Sequence, residues 1–340
     1  MRVFIWEYLC GGASLAERLD GSLAREGRAM LLALVEDFLQ IDGCQVATTW
    51  DARLGDFPIL DVDVTAIEQQ DESRVFAEQV RRCDAALVVA PEFDRILEAR
   101  TSDVRAAGVR CLGSSTDAVR ICADKLICNQ RLANAGVPAI DTTCVSDHGP
   151  PRTGEFPLVL KPRFGAGSME TWLIESPEAW SQLQGRIGRE AFLQMVRQPF
   201  VAGRPASVGV LLSAERESPV VLPPTEQHLS EDGRFRYLGG TIPLASSEDE
   251  SHALREVVEA ACRTCPGLSG YVGLDLILSE SRGERPVVVE INPRVTTSYV
   301  GYRRGLAGNI AREILAPAAS AESFRWSGET IVFGSDGRGA

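Results

Sequence analysis

Histidine is nearly missing from this chain: three residues in 340, at positions 148, 228 and 252. Imidazoles so few and so scattered give no support for a Ser-His-Asp or Cys-His nucleophile. No run of about 18 apolar residues occurs, so no segment reads as a membrane-spanning helix. The opening MRVFIWEYLCGG carries one basic residue and an apolar stretch too short for a signal peptide. A cytoplasmic location is the expectation. No G-x-G-x-x-G follows the first apolar stretch and no G-x-x-x-x-G-K-[ST] is present, which leaves a dinucleotide fingerprint unsupported and excludes a P-loop on the letter of the pattern. Basic charge is in deficit as well: 35 Lys and Arg against 47 Asp and Glu leave a net charge of -12. Such a balance repels phosphate backbones and disfavours nucleic acid as a partner. Nine cysteines at irregular spacing do not form a disulfide framework. The one C-x-x-C, Cys262 and Cys265, falls in a helical pattern; zinc would need two further ligands, and buried structural thiols are expected.

What is present is ordinary globular composition, 44% hydrophobic and 24% charged. Residues 2–6 read as a buried strand, followed by a helix from 22 with Leu23, Met30, Leu31, Leu34, Val35 and Phe38 on one face. Further strands are expected at 45–50, 58–64, 85–90 and 109–113, alternating with helices at 72–83 and 93–108. This alternation predicts a parallel sheet with right-handed crossovers, a Rossmann-like unit over residues 1–114. After Ser114 the pattern changes. One helix is expected over 116–136, then strand, Gly-rich turn and strand through 156–174, a helix at 177–188, and a strand beginning near 191. From 205 onward, strands and one helix at 248–265 suggest an antiparallel sheet with a helical cover. The expected fold is α/β, with the N-terminal unit followed by lobes at 115–200 and 201–325 and a frayed tail at 326–340.

Two strand-like stretches carry polar groups where apolar ones belong. In LDLIL (274–278) the intruder is Asp275; in VVVEIN (287–292) they are Glu290 and Asn292, two apart and so on one face. Two carboxylates and an amide oxygen form a hard-oxygen set suited to magnesium bridging phosphates; the plain alternative is a solvated strand face. The stretch VLKPRFGAGS (159–168) places Lys161 at the end of an apolar strand, then Arg163 and the turn Gly165-Ala166-Gly167-Ser168. Glycines let backbone N–H groups approach phosphates while Lys and Arg supply charge, although a Gly hairpin beside a surface Lys is common.

The succession Asp124-Lys125-Leu126, Leu160-Lys161-Pro162, the Gly-rich turn, Gly203 to Val208, Gly273-Leu274-Asp275 and Glu290-Ile291-Asn292-Pro293-Arg294 resembles the ATP-grasp superfamily of carboxylate–amine ligases. The resemblance spans nearly the whole chain and implies a two-lobed ATP-grasp domain behind the Rossmann-like unit. It implies that Lys125 and Lys161 contact ATP phosphates, that residues 165–168 form the lid, and that Asp275, Glu290 and Asn292 hold Mg2+, with Mn2+ an alternative. Arg294 would face the transferred phosphate or the acyl group. The stretch RQPFVAG would supply the adenine hinge, Gln198, Pro199, Phe200 and Val201, with the Pro199 carbonyl accepting from the adenine amino group and the Val201 N–H donating to the ring. One departure stands out: relatives carry a ribose-binding Glu two residues after the Gly matching Gly203, and here that position is Pro205.

FIWEYLCGG, the helix behind it and NPRVTTSYVG resemble a narrower group, the tyramine–glutamate ligases of methanofuran-type cofactor biosynthesis. By that resemblance Glu7 would meet an amino-bearing substrate, and Thr296, Thr297, Ser298 and Tyr299 would line the acyl site. The implied chemistry is phosphoryl transfer to a carboxylate, then attack by an amine on the acyl phosphate, with ADP formed; Lys125, Lys161 and Arg294 would carry the catalytic charge. Small-molecule acid and amine substrates are the expected partners, and a homodimer is left open. Two alternatives remain: another amino-acid or dipeptide ligase of the same fold, and a non-catalytic ATP-binding sensor.

Overall fold

The computed structural model describes residues 1–14, 18–68, 71–147, 149–279, 283–317 and 324–338; His148 lies outside them. Five strands, β1 (Arg2–Glu7), β2 (Gln45–Asp51), β3 (Val62–Ile67), β4 (Ala85–Val89) and β5 (Arg110–Cys111), form the first sheet. Every neighbour pair is parallel and the order is β3-β2-β1-β4-β5. The crossovers are helices α1 (Ser22–Leu39), α2 (Glu72–Arg81) and α3 (Ile96–Ala106). Central β1 shows why the order works: Val3, Phe4, Ile5 and Trp6 have no exposed surface, as a strand covered on both faces requires. The third strand begins at Val62 instead of Pro58, because Asp56 to Asp61 stay on the surface as bends.

The apolar periodicity of residues 116–134 runs unbroken, yet the chain makes two helices, α4 (Thr116–Ala123) and α5 (Lys125–Asn134). Asp124 leaves the helical region (φ -90, ψ 97), and its carboxylate accepts from the N–H groups of Leu126 and Ile127. It is an N-cap inside an apolar pattern. A second sheet follows, β6 (Thr143–Cys144), β7 (Leu158–Pro162), β8 (Trp172–Ile174) and β9 (Met195–Pro199), in the order β6-β9-β7-β8. Helices α6 (Pro177–Ile187) and α7 (Arg189–Leu193) cover it through Trp180, Leu183 and Phe192. The strand expected from 191 thus starts four residues later, since Arg189–Leu193 first make a short helix.

The largest sheet is antiparallel: β10 (Arg204–Leu212), β11 (Val220–Val221), β12 (Thr225–Leu229), β13 (Tyr237–Ile242), β14 (Gly270–Leu278) and β15 (Val287–Asn292). Helix α8 (Glu248–Thr264) packs Leu254, Val257, Val258 and Ala261 beneath it. Beyond α9 (Ser298–Gly305), β16 (Leu306–Ala307), α10 (Ile310–Leu315) and β17 (Arg325–Trp326), residues expected as a frayed tail supply β18 (Ile331–Gly334). It pairs with β13, and Phe333 is 1% exposed. Apolar burial of that order outweighs the entropy that would leave the segment loose.

One hydrophobic core joins the N-terminal sheet to the third: Val3, Ile5, Leu31, Leu34 and Phe38 pack with Tyr271, Tyr299, Tyr302 and Phe333. Asp37 fastens this junction, accepting from Tyr299 Oη at 2.7 Å and from Arg303 Nε at 2.9 Å. Tyr299 is therefore committed to the core rather than to an acyl site. The nine cysteines are all free. Cys262 and Cys265 do not act as a pair: the Cys265 thiol converges with those of Cys122 and Cys128, all three within 4.8 Å of one another in a buried core. No helix of the described residues is long and apolar enough to cross a membrane.

Candidate functional site

The second and third sheets face each other across a cleft. Most residues singled out in the sequence line it: Lys125, Lys161, Gly165, Gly167, Ser168, Gln198, Pro199, Phe200, Val201, Asp275, Glu290, Asn292, Arg294, Thr296, Thr297 and Ser298. Arg163 and Glu7 are not among the lining residues.

The floor is built by β14 and β15. Asp275 and Glu290 are direct cross-strand partners, and Asn292 donates from Nδ2 to Asp275 Oδ2 at 2.9 Å. Gln227 on β12 donates to the other Asp275 oxygen at 2.9 Å. Carboxylates set opposite each other on paired strands repel. Burial, together with the Glu290 charge, pushes the Asp275 carboxyl up to about 7. Burial pushes Glu290 the same way, but Lys125 and Lys161 outweigh it and hold that carboxyl down at about 2. A pair of half-buried carboxylates with an adjacent amide is a donor set that fits a hard divalent cation, and Asp275, Glu290 and Asn292 could hold one.

Two ammonium groups enter from the other side. Lys125 is the first residue of α5, placed there by the Asp124 cap; its Nζ lies 3.4 Å from Glu290 Oε2 and donates to the Gly165 carbonyl at 2.7 Å. Lys161 Nζ lies 3.9 Å from the same carboxylate oxygen. Burial pulls the Lys161 ammonium down to about 8; Glu290 holds it up, and Lys125 adds to the fall. Two cations converging on one carboxylate in a cleft form a strong receptor for further anionic oxygens.

The Gly-rich turn runs from Gly165 to Thr171. Gly167 has φ +63, which glycine adopts without penalty, and Ser168 follows it at φ 57. Arg163, expected to add charge here, is instead paired with Asp124 by two bonds of 2.8 and 2.6 Å, so it braces the α5 cap. At the hinge, Gln198 donates to Thr142 Oγ1 at 2.8 Å, and Phe200 stacks on Phe235 with centroids 6.3 Å apart. Pro205 also lines the cleft.

Arg294 lines the cleft beyond the carboxylate floor and is held by Glu92 at 2.8 and 3.1 Å. Glu7 lies behind the cleft wall, 4% exposed, accepting the Cys10 N–H at 2.7 Å. Gly27 abuts it: a Cβ there would meet Glu7 Oε1 at 2.3 Å, so only glycine lets α1 pack this closely. The expected substrate contact at Glu7 is thus a turn-forming group in the core. Burial pushes its carboxyl up to about 7 from 4.5. The folded state therefore binds a proton that the unfolded chain has lost above pH 4.5, and stability should fall as pH rises from about 4.5 to 7. Glu7→Gln should flatten that slope, worth about 3 kcal/mol from a shift of this size; chemical denaturation at pH 5 and pH 8 reads it, and parallel slopes for both proteins would reject the assignment.

Two contributors escaped sequence reasoning. Glu26 of α1 lines the cleft, accepting from Ser22 Oγ at 2.7 Å and Thr297 Oγ1 at 3.1 Å. Tyr237 of β13 lines it too. Glu26 had a signal: it lies three residues after Leu23 and four before Met30, a carboxylate within an apolar stripe. Tyr237 had none, being an aromatic in a strand like any other.

The ATP-grasp domain model matches residues 122–298, more than half of the chain, and a pre ATP-grasp domain model matches residues 44–119. A tyramine–L-glutamate ligase from Methanocaldococcus fervens is 24% identical over 291 residues, covering 84% of each chain. A crystal structure of an ATP-grasp superfamily protein from Archaeoglobus fulgidus superposes with a TM-score of 0.73 at 22% identity, over 98% of this chain and 92% of that one. L-amino acid ligase from Bacillus licheniformis gives 0.66 at 16% identity, over 94% and 75%. On these matches the chain belongs to the ATP-grasp family of ATP-dependent carboxylate–amine ligases.

Proposed function

We propose that the protein joins the side-chain carboxylate of glutamate to the amine of tyramine or tyrosine through an acyl phosphate, releasing ADP, in the biosynthesis of a methanofuran-type cofactor. One observation carries the reaction class: Lys125, Lys161, Asp275, Glu290, Asn292 and Arg294 line a single cleft. The substrate pair is supported by the likeness to the tyramine–L-glutamate ligase across most of both chains.

In this reading adenine sits at Pro199–Val201, with Phe200 and Phe235 at its edge. Lys125 and Lys161 neutralise the phosphates, and the turn at 165–168 closes over them with its N–H groups. Magnesium, or manganese in its place, would be held by Asp275, Glu290 and Asn292 and would supply charge neutralisation between phosphate oxygens. Arg294, fixed by Glu92, faces the carboxylate that takes the γ-phosphoryl group and stabilises the crowded anion that results. Positioning and charge do the work, since a carboxylate resists amine attack until its oxygen leaves as phosphate.

Chromatography of the products with ATP, glutamate and tyramine or tyrosine tests the proposal. The expected result is ADP, phosphate and a γ-glutamyl amide in equal amounts. AMP and pyrophosphate would overturn the acyl-phosphate route. ADP formed only with a different acid–amine pair would keep the route and reject the substrates, and tight ATP binding without turnover would favour a sensor.

A further inference from the structure

Among the described residues that line the cleft, only one comes from the N-terminal 114, and it is a carboxylate, Glu26. It sits on the inward side of α1 with Met30, Leu31 and Leu34 and is 8% exposed. A buried carboxylate is costly unless a cation meets it. Glu92, the carboxylate that fixes a neighbouring cleft residue, has the Arg294 guanidinium. Glu26 accepts only from the hydroxyls of Ser22 and Thr297, and among the described residues no Lys or Arg forms an ion pair with it. Arg294 and Arg25 act on it through space but form no ion pair with it, and the Arg294 guanidinium is already taken by Glu92.

A second, independent group points the same way. The Tyr237 hydroxyl is buried in the same cleft wall beside Ser298 and Glu26, and among the described residues it forms no hydrogen bond of normal geometry. A buried hydroxyl left unbonded forfeits on the order of 1 kcal/mol or more, so its partner is to be looked for in a ligand. One carboxylate beside the oxygens of Tyr237 and Thr297 offers a few acceptors and a single negative charge. This suits an alkylammonium group, with three N–H donors and one positive charge, better than a divalent ion needing six or more oxygens.

We infer that Glu26, with Tyr237, is the seat of a substrate ammonium group, which the N-terminal domain thereby contributes to a site otherwise built by the ATP-grasp lobes. This rests on the ligase reading above and names the group that the site selects. The ammonium belongs either to the attacking amine or to the α-amino group of the acyl donor; both present the same chemistry to Glu26.

Calorimetric binding to the full chain saturated with MgADP separates the possibilities. Tyramine is compared with 4-ethylphenol, and glutamate with glutarate, each pair differing only in the ammonium group. Wild-type protein should prefer one ammonium ligand over its deaminated partner, and Glu26→Gln should weaken that ligand by about ten- to a hundredfold, the scale of a charge-assisted hydrogen bond. Binding of the deaminated analogue and of MgADP should not change. Loss for tyramine assigns the site to the attacking amine, and loss for glutamate to the acyl donor. Tyr237→Phe, which removes one hydroxyl and little volume, should lower the same affinity several-fold and stands in should Glu26→Gln fail to fold. A Glu26→Gln protein that keeps the wild-type ammonium preference overturns the inference, as does a wild type that binds MgADP and prefers neither ammonium ligand. Failure to bind MgADP at all would overturn the ATP reading beneath it.

Discussion

Glu290→Gln is expected to lower turnover by about a thousandfold, the scale seen when a preorganised charge is removed from a reacting centre. The substitution changes almost no volume, so packing of β15 should survive. What it removes is the anion shared by Lys125 at 3.4 Å and Lys161 at 3.9 Å, opposite Asp275 on the next strand. Two effects then add. The cation-holding set loses one of its two charges, and the two buried ammonium groups are left facing each other without their counter-ion. Burial already pulls the Lys161 ammonium down to about 8, with Glu290 holding it up; without Glu290 it falls further and supplies less charge to a phosphate at neutral pH. Steady-state kinetics at saturating ATP and magnesium, paired with a thermal melt, make the measurement. A folded Glu290→Gln enzyme with the wild-type rate would remove Glu290 from the machinery altogether.

Lys161→Ala should reduce kcat by a factor of about 100 to 1000, with a smaller rise in KM for ATP. Lys161 is 7% exposed at the end of β7, and among the described residues its ammonium pairs with Glu290 alone, at 3.9 Å, too far for a hydrogen bond that would brace the sheets. Its removal deletes a buried charge while Lys125 still meets Glu290, so the melting temperature should change little. That contrast distinguishes a residue that stabilises a developing anion from one that holds the sheet. Unchanged kinetic constants with a large drop in melting temperature would assign Lys161 to the fold.

Much of the fold was legible because burial leaves a trace in periodicity. AALVV over 85–89 is continuous and apolar because both faces of β4 are covered. Asp275, Glu290 and Asn292 stood out because a polar group in a buried strand needs a reason. What was not legible depends on contacts between residues far apart in sequence. Arg163 follows the β7 lysine and reads as one more phosphate ligand; the bond to Asp124, 39 positions earlier, turns it elsewhere. Glu7 and Glu26 are both acidic residues beside apolar stretches, and only the packing of Gly27 against Glu7 decides which one reaches the cleft. The strand within the tail was not legible because a glycine-rich composition says nothing of the vacant edge of β13 that receives Ile331–Gly334.

That edge strand bears on how the protein is made. Translation delivers β13 at residues 237–242 and the strand that completes its ladder about 90 residues later. At ordinary elongation rates the nascent chain holds an unpaired sheet edge for on the order of ten seconds. An open edge invites pairing with any other extended chain, a neighbouring ribosome's product included. The residues waiting there are Gly239 and Gly240, poor strand formers that grip a chance partner weakly. A Cβ at Gly239 would come within 2.1 Å of the Phe333 carbonyl, so the same glycine that blunts the edge during synthesis admits the closing strand afterwards.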